Sequence, residues 1–451
     1  MRAWVIQMGS TITAKYPFSG KNAVCVVAEE IVVTTGAPQY GKNRTETIAA
    51  ASTTWKSLGY PTGGQTTETR TMEEIGSIGR RNIQQLVETR FECSGAIDLE
   101  YQTARPFYLA VATHNALGSY TVAPGIAHDS TSPMHTQLFR HIIYEPEFVT
   151  GGYTDNNVPD PISFNLVDGY TIAGTVSNTV GQPKIVRKYL GCKVDSLTTN
   201  FTKDGAIKLN LNWKGAQVYA SQSTTVANLV IGDTMMYDEV FPPVFGKVYI
   251  QAWTYPTTYP TWTATLDTAL AAVGNLIGDI PQASVTISNN LEPLFVISDT
   301  TARAMPAQAR KYEGRISVAF VDESMHMKFL GEFNNTYTAD PTTGTALGAG
   351  SWTYPWYAAD RQKYYAMKMF YDNSSLGYTN ASVNYRSIEI TLLGVKFKSI
   401  SSPRNVNGII YQDFDFTALM LAPFDTATHV GGITAIDTTI AAVFHSIVPA
   451  S

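Results

Sequence analysis

LGCKVDSL at residues 190–197 returns as LGVKFKSI at residues 393–400. At this offset of 203, Leu190 falls on Leu393, Gly191 on Gly394, Lys193 on Lys396, Ser196 on Ser399 and Leu197 on Ile400. The match runs on without a gap, with Gly205 on Gly408, Ile207 on Ile410, Leu211 on Phe414 and Trp213 on Phe416. Asn210 and Asn212 fall on Asp413 and Asp415, while Leu209 over Gln412 breaks the apolar parity. Apolar residues recurring with period two mark a half-buried strand. Each copy therefore predicts two short strands joined by a turn, TKDG at 202–205 and NVNG at 405–408. Asp-Gly and Asn-Gly are the pairs that enter positive φ most easily, as tight hairpin turns require.

A second pair follows the same order. SGAIDLEY (94–101) resembles EGRISVAF (313–320) at an offset of 219, with Gly95 on Gly314, Ile97 on Ile316, Leu99 on Val318 and Tyr101 on Phe320. The interval from Gly95 to Gly191 is 96 residues, and that from Gly314 to Gly394 is 80. Two ordered matches, one of them long and ungapped, point to an internal duplication. The predicted fold is mainly β: two tandem β-sandwich or barrel domains, each with at most one or two helices. The expected organisation is an N-terminal arm (1–19), a first domain (20–225), a linker (226–244), a second domain (245–425) and a C-terminal arm (426–451). Apolar spacing at Leu266, Leu270, Val273 and Ile277 predicts a helix over 263–278, with Pro281 beyond its end. Residues 70–88 read as a short helix or a long loop.

Composition narrows the function. Hydrophobic residues make up 44% of the 451 and charged residues 15%, so cores can form while the surface is dominated by small neutral polar groups. Such a surface suits a protein that covers itself with its own copies. A net charge of −5 indicates neither a basic nucleic-acid-binding domain nor a polybasic membrane surface. Cys25, Cys93 and Cys192 are scattered and lack a CxxC spacing, so they read as small buried hydrophobes rather than a disulfide frame or zinc ribbon. The first twenty residues lack a continuous apolar run of the signal-peptide kind. The most apolar stretches, 269–280 and 433–448, fall short of the roughly 20 residues of a spanning helix.

Catalytic signals are lacking. His128, Asp129, His135 and His141 form the densest His/Asp group, but no HExxH pattern orders them. GxSxG, GxGxxG and the phosphate-binding GxxxxGK[ST] are absent from the sequence. The expectation is a non-enzyme without metal or cofactor. GSIGRR (76–81), with Arg80 and Arg81, could bind an anion, and reads better as a loop touching an acidic neighbour. Trp253 and Trp262 in WTYPTTYPTW, and Trp352 and Trp356 in WTYPWY, could stack on sugars. Without an enzyme signature they read as rigid anchors at subunit contacts.

The ordered pair, a G-x-I-x-L/V-x-F/Y strand and a later LG-x-K-x-x-S-L/I hairpin, resembles the tail tube proteins of long-tailed phages and tailed archaeal viruses. TMEEIGSIGRRNIQQLVETRFECSGAIDLEY (71–101) resembles the part of that family where a glycine-rich loop leads into a first long strand. The resemblance implies a structural virion protein: small β domains in six-fold rings, the rings stacked into a hollow tube whose lumen passes DNA. Two domains per chain imply a homotrimeric, pseudo-six-fold ring. The implied partners are further copies of the chain, other tail proteins, and DNA passing non-specifically, with no membrane span. The implied location is the virion tail, assembled in the host cytoplasm. Asp98, Glu100, Lys208, Asn210, Asn212, Ser317, Asp413 and Asp415 lie opposite the apolar sides of the repeated strands and are the expected lumen-facing residues. Both terminal arms are expected to reach the next ring. Alternatives are another viral shell, baseplate or surface-layer β protein, and a carbohydrate-binding or glycan-active β protein.

Overall fold

A computed structural model describes residues 23–29, 56–76, 85–101, 105–111, 120–123, 139–144, 161–171, 183–202, 205–221, 245–254, 276–277, 280–297, 299–320, 363–372, 387–401, 409–418, 422–424, 436–438 and 440–446, with 83, 325, 326 and 329. Among these the chain is mainly β, with helix α1 (Arg105–Val111) and further helical residues at Met325, His326 and Phe329. The first half holds β1 (Ala23–Glu29), β2 (Lys56–Ser57), β3 (Tyr60–Ile75), β4 (Gln85–Glu100), β5 (Tyr120–Ala123), β6 (Phe139–Tyr144), β7 (Phe164–Thr171), β8 (Pro183–Thr202), β9 (Lys208–Gly215) and β10 (Gln217–Ser221). The second half holds β11 (Phe245–Thr254), β12 (Leu276–Ile277), β13 (Gln282–Ser288), β14 (Leu294–Val296), β15 (Asp299–Ala304), β16 (Lys311–Ala319), β17 (Lys363–Asp372), β18 (Ser387–Ser401), β19 (Tyr411–Ala418), β20 (Ala422–Phe424), β21 (Ile436–Thr438) and β22 (Ile440–Ser446). Eighteen strands form one connected sheet, and β14–β15 and β20–β21 are separate pairs.

Antiparallel neighbours in the first half run β3, β4, β9, β8, β7, β1. In the second half they run β13, β16, β19, β18, β17, β11. The register corresponds as well. Gly95 lies opposite Trp213, and Gly314 opposite Phe416. Val194 and Leu197 oppose Trp213 and Leu211; Phe397 and Ile400 oppose Phe416 and Phe414. The glycines have a steric reason. A Cβ on Gly95 would lie 2.8 Å from the Trp213 ring, and one on Gly314 would lie 2.4 Å from the Phe416 ring. Each large aromatic occupies the space its partner's missing side chain leaves.

The LG pair is a bulge. Gly191 and Gly394 adopt φ of 62° and 63°, the left-handed region that glycine enters without a Cβ clash. Tyr189 to Cys192 on β8 spans only Leu166 to Phe164 on β7, and Leu392 to Val395 on β18 spans only Met367 to Tyr365 on β17. An extra residue bends a strand and raises its twist. The bend lets β8 hydrogen-bond β7 and β10 before the glycine, and β9 and β13 after it. Similarly, β18 serves β17 and β22 first, then β19.

One hydrophobic core runs through both halves, including Trp213, Phe201, Leu197, Phe414 and Phe416. Phe201 of the first half stacks on Tyr371 of the second with ring centroids 4.0 Å apart. Such pairs contribute about 0.5–1.5 kcal/mol beyond burial. The halves also share a sheet. β13 pairs with β16 of its own half on one edge and with β8 of the first half on the other.

Three expectations meet a different structure. Residues 70–88 fall mostly in the β3–β4 hairpin, paired out to Ile75 opposite Gln85, because alternating Thr, Glu and Arg favour the ladder over a helical turn. Of the expected helix at 263–278, Leu276–Ile277 form strand β12 against β11, and residues 263–275 lie outside the described residues. In the C-terminal arm, β22 pairs with β18 and β6 of its own chain rather than reaching away, since its apolar run finds a partner edge close by. The N-terminal arm (1–19) and the whole 226–244 linker lie outside the described residues.

Candidate functional site

The strands around the seam alternate strictly: β9 and β13 bury every second residue and leave the others on the opposite face. That opposite face carries a polar network across β4, β9, β8, β13, β16, β19 and β18. Asn210 Nδ2 donates to Asp98 Oδ1 at 2.6 Å. Asn212 Nδ2 donates to Ser196 Oγ at 2.9 Å and to Asn210 Oδ1 at 3.0 Å. The hydroxyls of Thr198 and Thr286 share a 3.0 Å hydrogen bond over the seam. In the second half Ser317 donates to Asp413 at 2.5 Å, and Arg315 Nε donates to Asp415 Oδ1 at 2.7 Å. Ser399 donates to Asp415 Oδ2 at 2.7 Å, and Lys398 pairs with Glu313.

The predicted residues thus share one face. Asp98, Asn210 and Asn212 are joined by hydrogen bonds, as are Ser317 and Asp413, while Asp415 sits between Arg315 and Ser399. Glu100 and Lys208 face each other across β4 and β9. The sequence reading missed Arg315, Glu313, Lys398, Thr198 and Thr286. For Glu313, Arg315 and Thr286 the parity of the EGRISVAF and ASVTIS alternations carries the signal.

Electrostatically the face is polar, and Arg315, Lys398 and Lys214 on it are engaged by carboxylates. Arg315 holds the Asp415 carboxyl below its ordinary value, chiefly through their hydrogen bond and then through Ser399. The same contact raises the Arg315 guanidinium further. Lys214 pairs with Asp195 at 3.2 Å and donates to Leu291 O at 2.9 Å.

Behind the seam, residues 289–310 clamp the two halves together. Asn289 is buried and donates to Val194 O at 2.8 Å and to Ala110 O, at the end of α1, at 3.0 Å. Arg310 donates to Asn289 Oδ1 at 2.6 Å and to Val111 O at 3.2 Å. Lys193 Nζ reaches Met305 O at 3.0 Å, and Asp195 accepts from Leu291 N at 2.8 Å.

The expected loop contacts are placed elsewhere or not described. Trp253 has its backbone in β11 opposite Tyr364, within a strand rather than a loop. Arg80, Arg81, Trp262, Trp352 and Trp356 lie outside the described residues. Among the described residues no group of three or more His, Cys, Asp or Glu is placed to hold a metal ion, and no helix is long and apolar enough to cross a membrane.

A sheet that continues from one half into the other, with a buried aromatic core on one side and a hydrogen-bonded polar face on the other, defines a mainly β protein. Consistent with this class, the family model for the phage tail tube protein matches residues 20–418, and the chain belongs to that family. It is a structural tail tube protein, a component of the virion tail whose family membership implies self-assembly and contact with other tail proteins. No curated protein matches the chain.

Proposed function

We propose that this chain is the major tail tube subunit, that each chain supplies two tube domains from a tandem duplication, and that three chains form a pseudo-six-fold ring. The proposed domains are 20–225 and 245–425. Rings stack into a hollow tube through which the genome leaves, with the polar face lining the lumen. The observation that carries this reading is the seam: β13 joins β8 and β16 in one sheet, so two equivalent units already share a wall inside one chain. The equivalent register of the two halves supports the duplication. A sheet closed around a ring leaves no open strand edge, the standing hazard of β proteins.

The ladder of Asp98, Asn210, Asn212, Asp413 and Asp415 suits passage rather than binding. DNA is held by cations that neutralise its phosphates. Here Arg315 and Lys398 are turned onto Asp415 and Glu313 instead. Negative-stain electron microscopy of the purified protein tests the reading. Hollow fibres of uniform diameter are the expected result. Closed or flat lattices would favour a shell protein, and small particles that bind glycans would favour a lectin; either overturns it.

A further inference from the structure

Each half has a strand edge that the other half's counterpart covers only once. Within the chain, β8 beyond its bulge meets β13, with Ser196 opposite Ser288, Leu197 opposite Ile287 and Thr198 opposite Thr286. The counterpart of this stretch of β8 is the end of β18, and the counterpart of β13 is residues 63–69 of β3. Among the described residues β3 pairs only with β4, and the end of β18, from Ser399 to Ser401, pairs only with β19. The chain thus carries one half of the same seam at each end, unused.

We propose that the free edge of β3 in one copy docks antiparallel on the end of β18 in the next, in the register of the internal seam. This rests on the tube reading and assigns its inter-chain contact. Carrying the two offsets through gives Thr69 opposite Ser399, Glu68 opposite Ile400 and Thr67 opposite Ser401.

Three observations support that register. Leu197 is fully buried beneath the internal seam, whereas its counterpart Ile400 is only partly covered. Thr67 and Ser401 would place two hydroxyls where Thr198 and Thr286 already bond across the internal seam. In addition, the segment that follows β13 lies against Lys193, Asp195 and Lys214 of the other half. Its counterpart is the far end of the β3–β4 hairpin, where Met72, Ile75 and Leu86 are 44%, 43% and 59% exposed. Docking would carry these side chains onto the neighbouring copy. The contact is head-to-tail, the kind that closes into a ring when its rotation permits.

A cysteine pair tests it. Directly opposed residues of an antiparallel pair have Cα atoms about 4.5–5.5 Å apart, inside the disulfide range of roughly 4.4–6.8 Å. The full-length Thr67→Cys/Ser401→Cys protein is assembled, mildly oxidised and run on a non-reducing gel, with each single variant as control and electron microscopy of the same sample. The expected result is conversion of the monomer band into covalently closed three-chain species, absent from both single variants. Thr69→Cys/Ser399→Cys, in the same register, should link as well. Thr67→Cys/Ser399→Cys, displaced by two residues, should not. Tubes with no linkage by either in-register pair would overturn the seam and leave the tube standing. Linkage by the displaced pair alone would overturn the register. Neither tubes nor linkage from the parent and all variants would overturn both.

Discussion

Gly314→Ala probes the strand contact on which the seam rests. A Cβ at Gly314 would lie 2.2 Å from Ser284 O of β13 and 2.4 Å from the Phe416 ring. Both are far inside van der Waals contact, and the first neighbour is backbone that cannot rotate away. β13 would have to shift, and β13 is held by β8 on its other edge. Overpacking of this kind typically costs about 1–3 kcal/mol. The entropy that alanine removes from the unfolded chain offsets about 0.4–1 kcal/mol. A net loss of about 1.3 kcal/mol is expected, the middle of the overpacking cost less the middle of the entropic offset, which moves a urea midpoint down by about 0.4 M for a slope near 3 kcal/mol/M. Gly76→Ala is the control, since nothing lies within 4 Å of its added methyl, and it should leave the midpoint unchanged or slightly higher. A Gly314→Ala protein as stable as the parent would refute the close approach of β13, β16 and β19.

Further outcomes follow from the same geometry. Trp213→Phe installs the residue found at the equivalent place, Phe416, and removes a buried Nε1–H that has no hydrogen-bond partner; its stability loss should stay below about 1.5 kcal/mol, against about 3–5 kcal/mol for Trp213→Ala in the same denaturation assay. Asp415 has its folded pKa lowered by Arg315, so its contribution is present above its ordinary 3.8 and lost as pH falls below that toward the folded value. Asp415→Asn should therefore flatten the acid limb of a stability–pH curve, with a loss at neutral pH of at most about 1 kcal/mol because the pair is exposed. Burial, then the nearby Glu68, pushes the Cys93 thiol up to about 12, so it should resist a thiol reagent at pH 8 until denaturant is added. Asn210→Lys/Asn212→Lys should leave tubes intact yet make them retain a labelled DNA oligonucleotide at low salt and release it at high salt; tubes that exclude DNA equally in both forms would count against a lumenal ladder.

The sequence made some of this legible and concealed the rest for physical reasons. The LG pair was visible because a left-handed backbone position at a bulge tolerates little but glycine. The Gly95–Trp213 and Gly314–Phe416 contacts were visible as matched offsets, though their steric meaning needed the register. The polar ladder was readable by parity at Asp98, Asn210, Ser317 and Asp413, since a strand's side chains alternate between faces. Arg315 was hidden because a lone charge in a strand does not declare its partner, and Asp415 lies a hundred residues away. The β3–β4 hairpin is hidden because the glycines at 76 and 79 suggest a loop, while the Thr and Glu before them carry no apolar alternation. α1 is seven residues long, too short for a helical period to show. The strand at Ile440–Ser446 is hidden from the sequence because its partners, β18 and β6, are distant along the chain and belong to different halves.

The central claim is that two equivalent units per chain share one wall and that three chains close it. End views of the assembled protein, rotationally averaged in the electron microscope, test this most directly. The account predicts a ring with three-fold symmetry that looks nearly six-fold, and a mass three times the 49.2 kDa chain. A true six-fold ring of six chains would contradict it, because one half of each chain would then stand outside the wall.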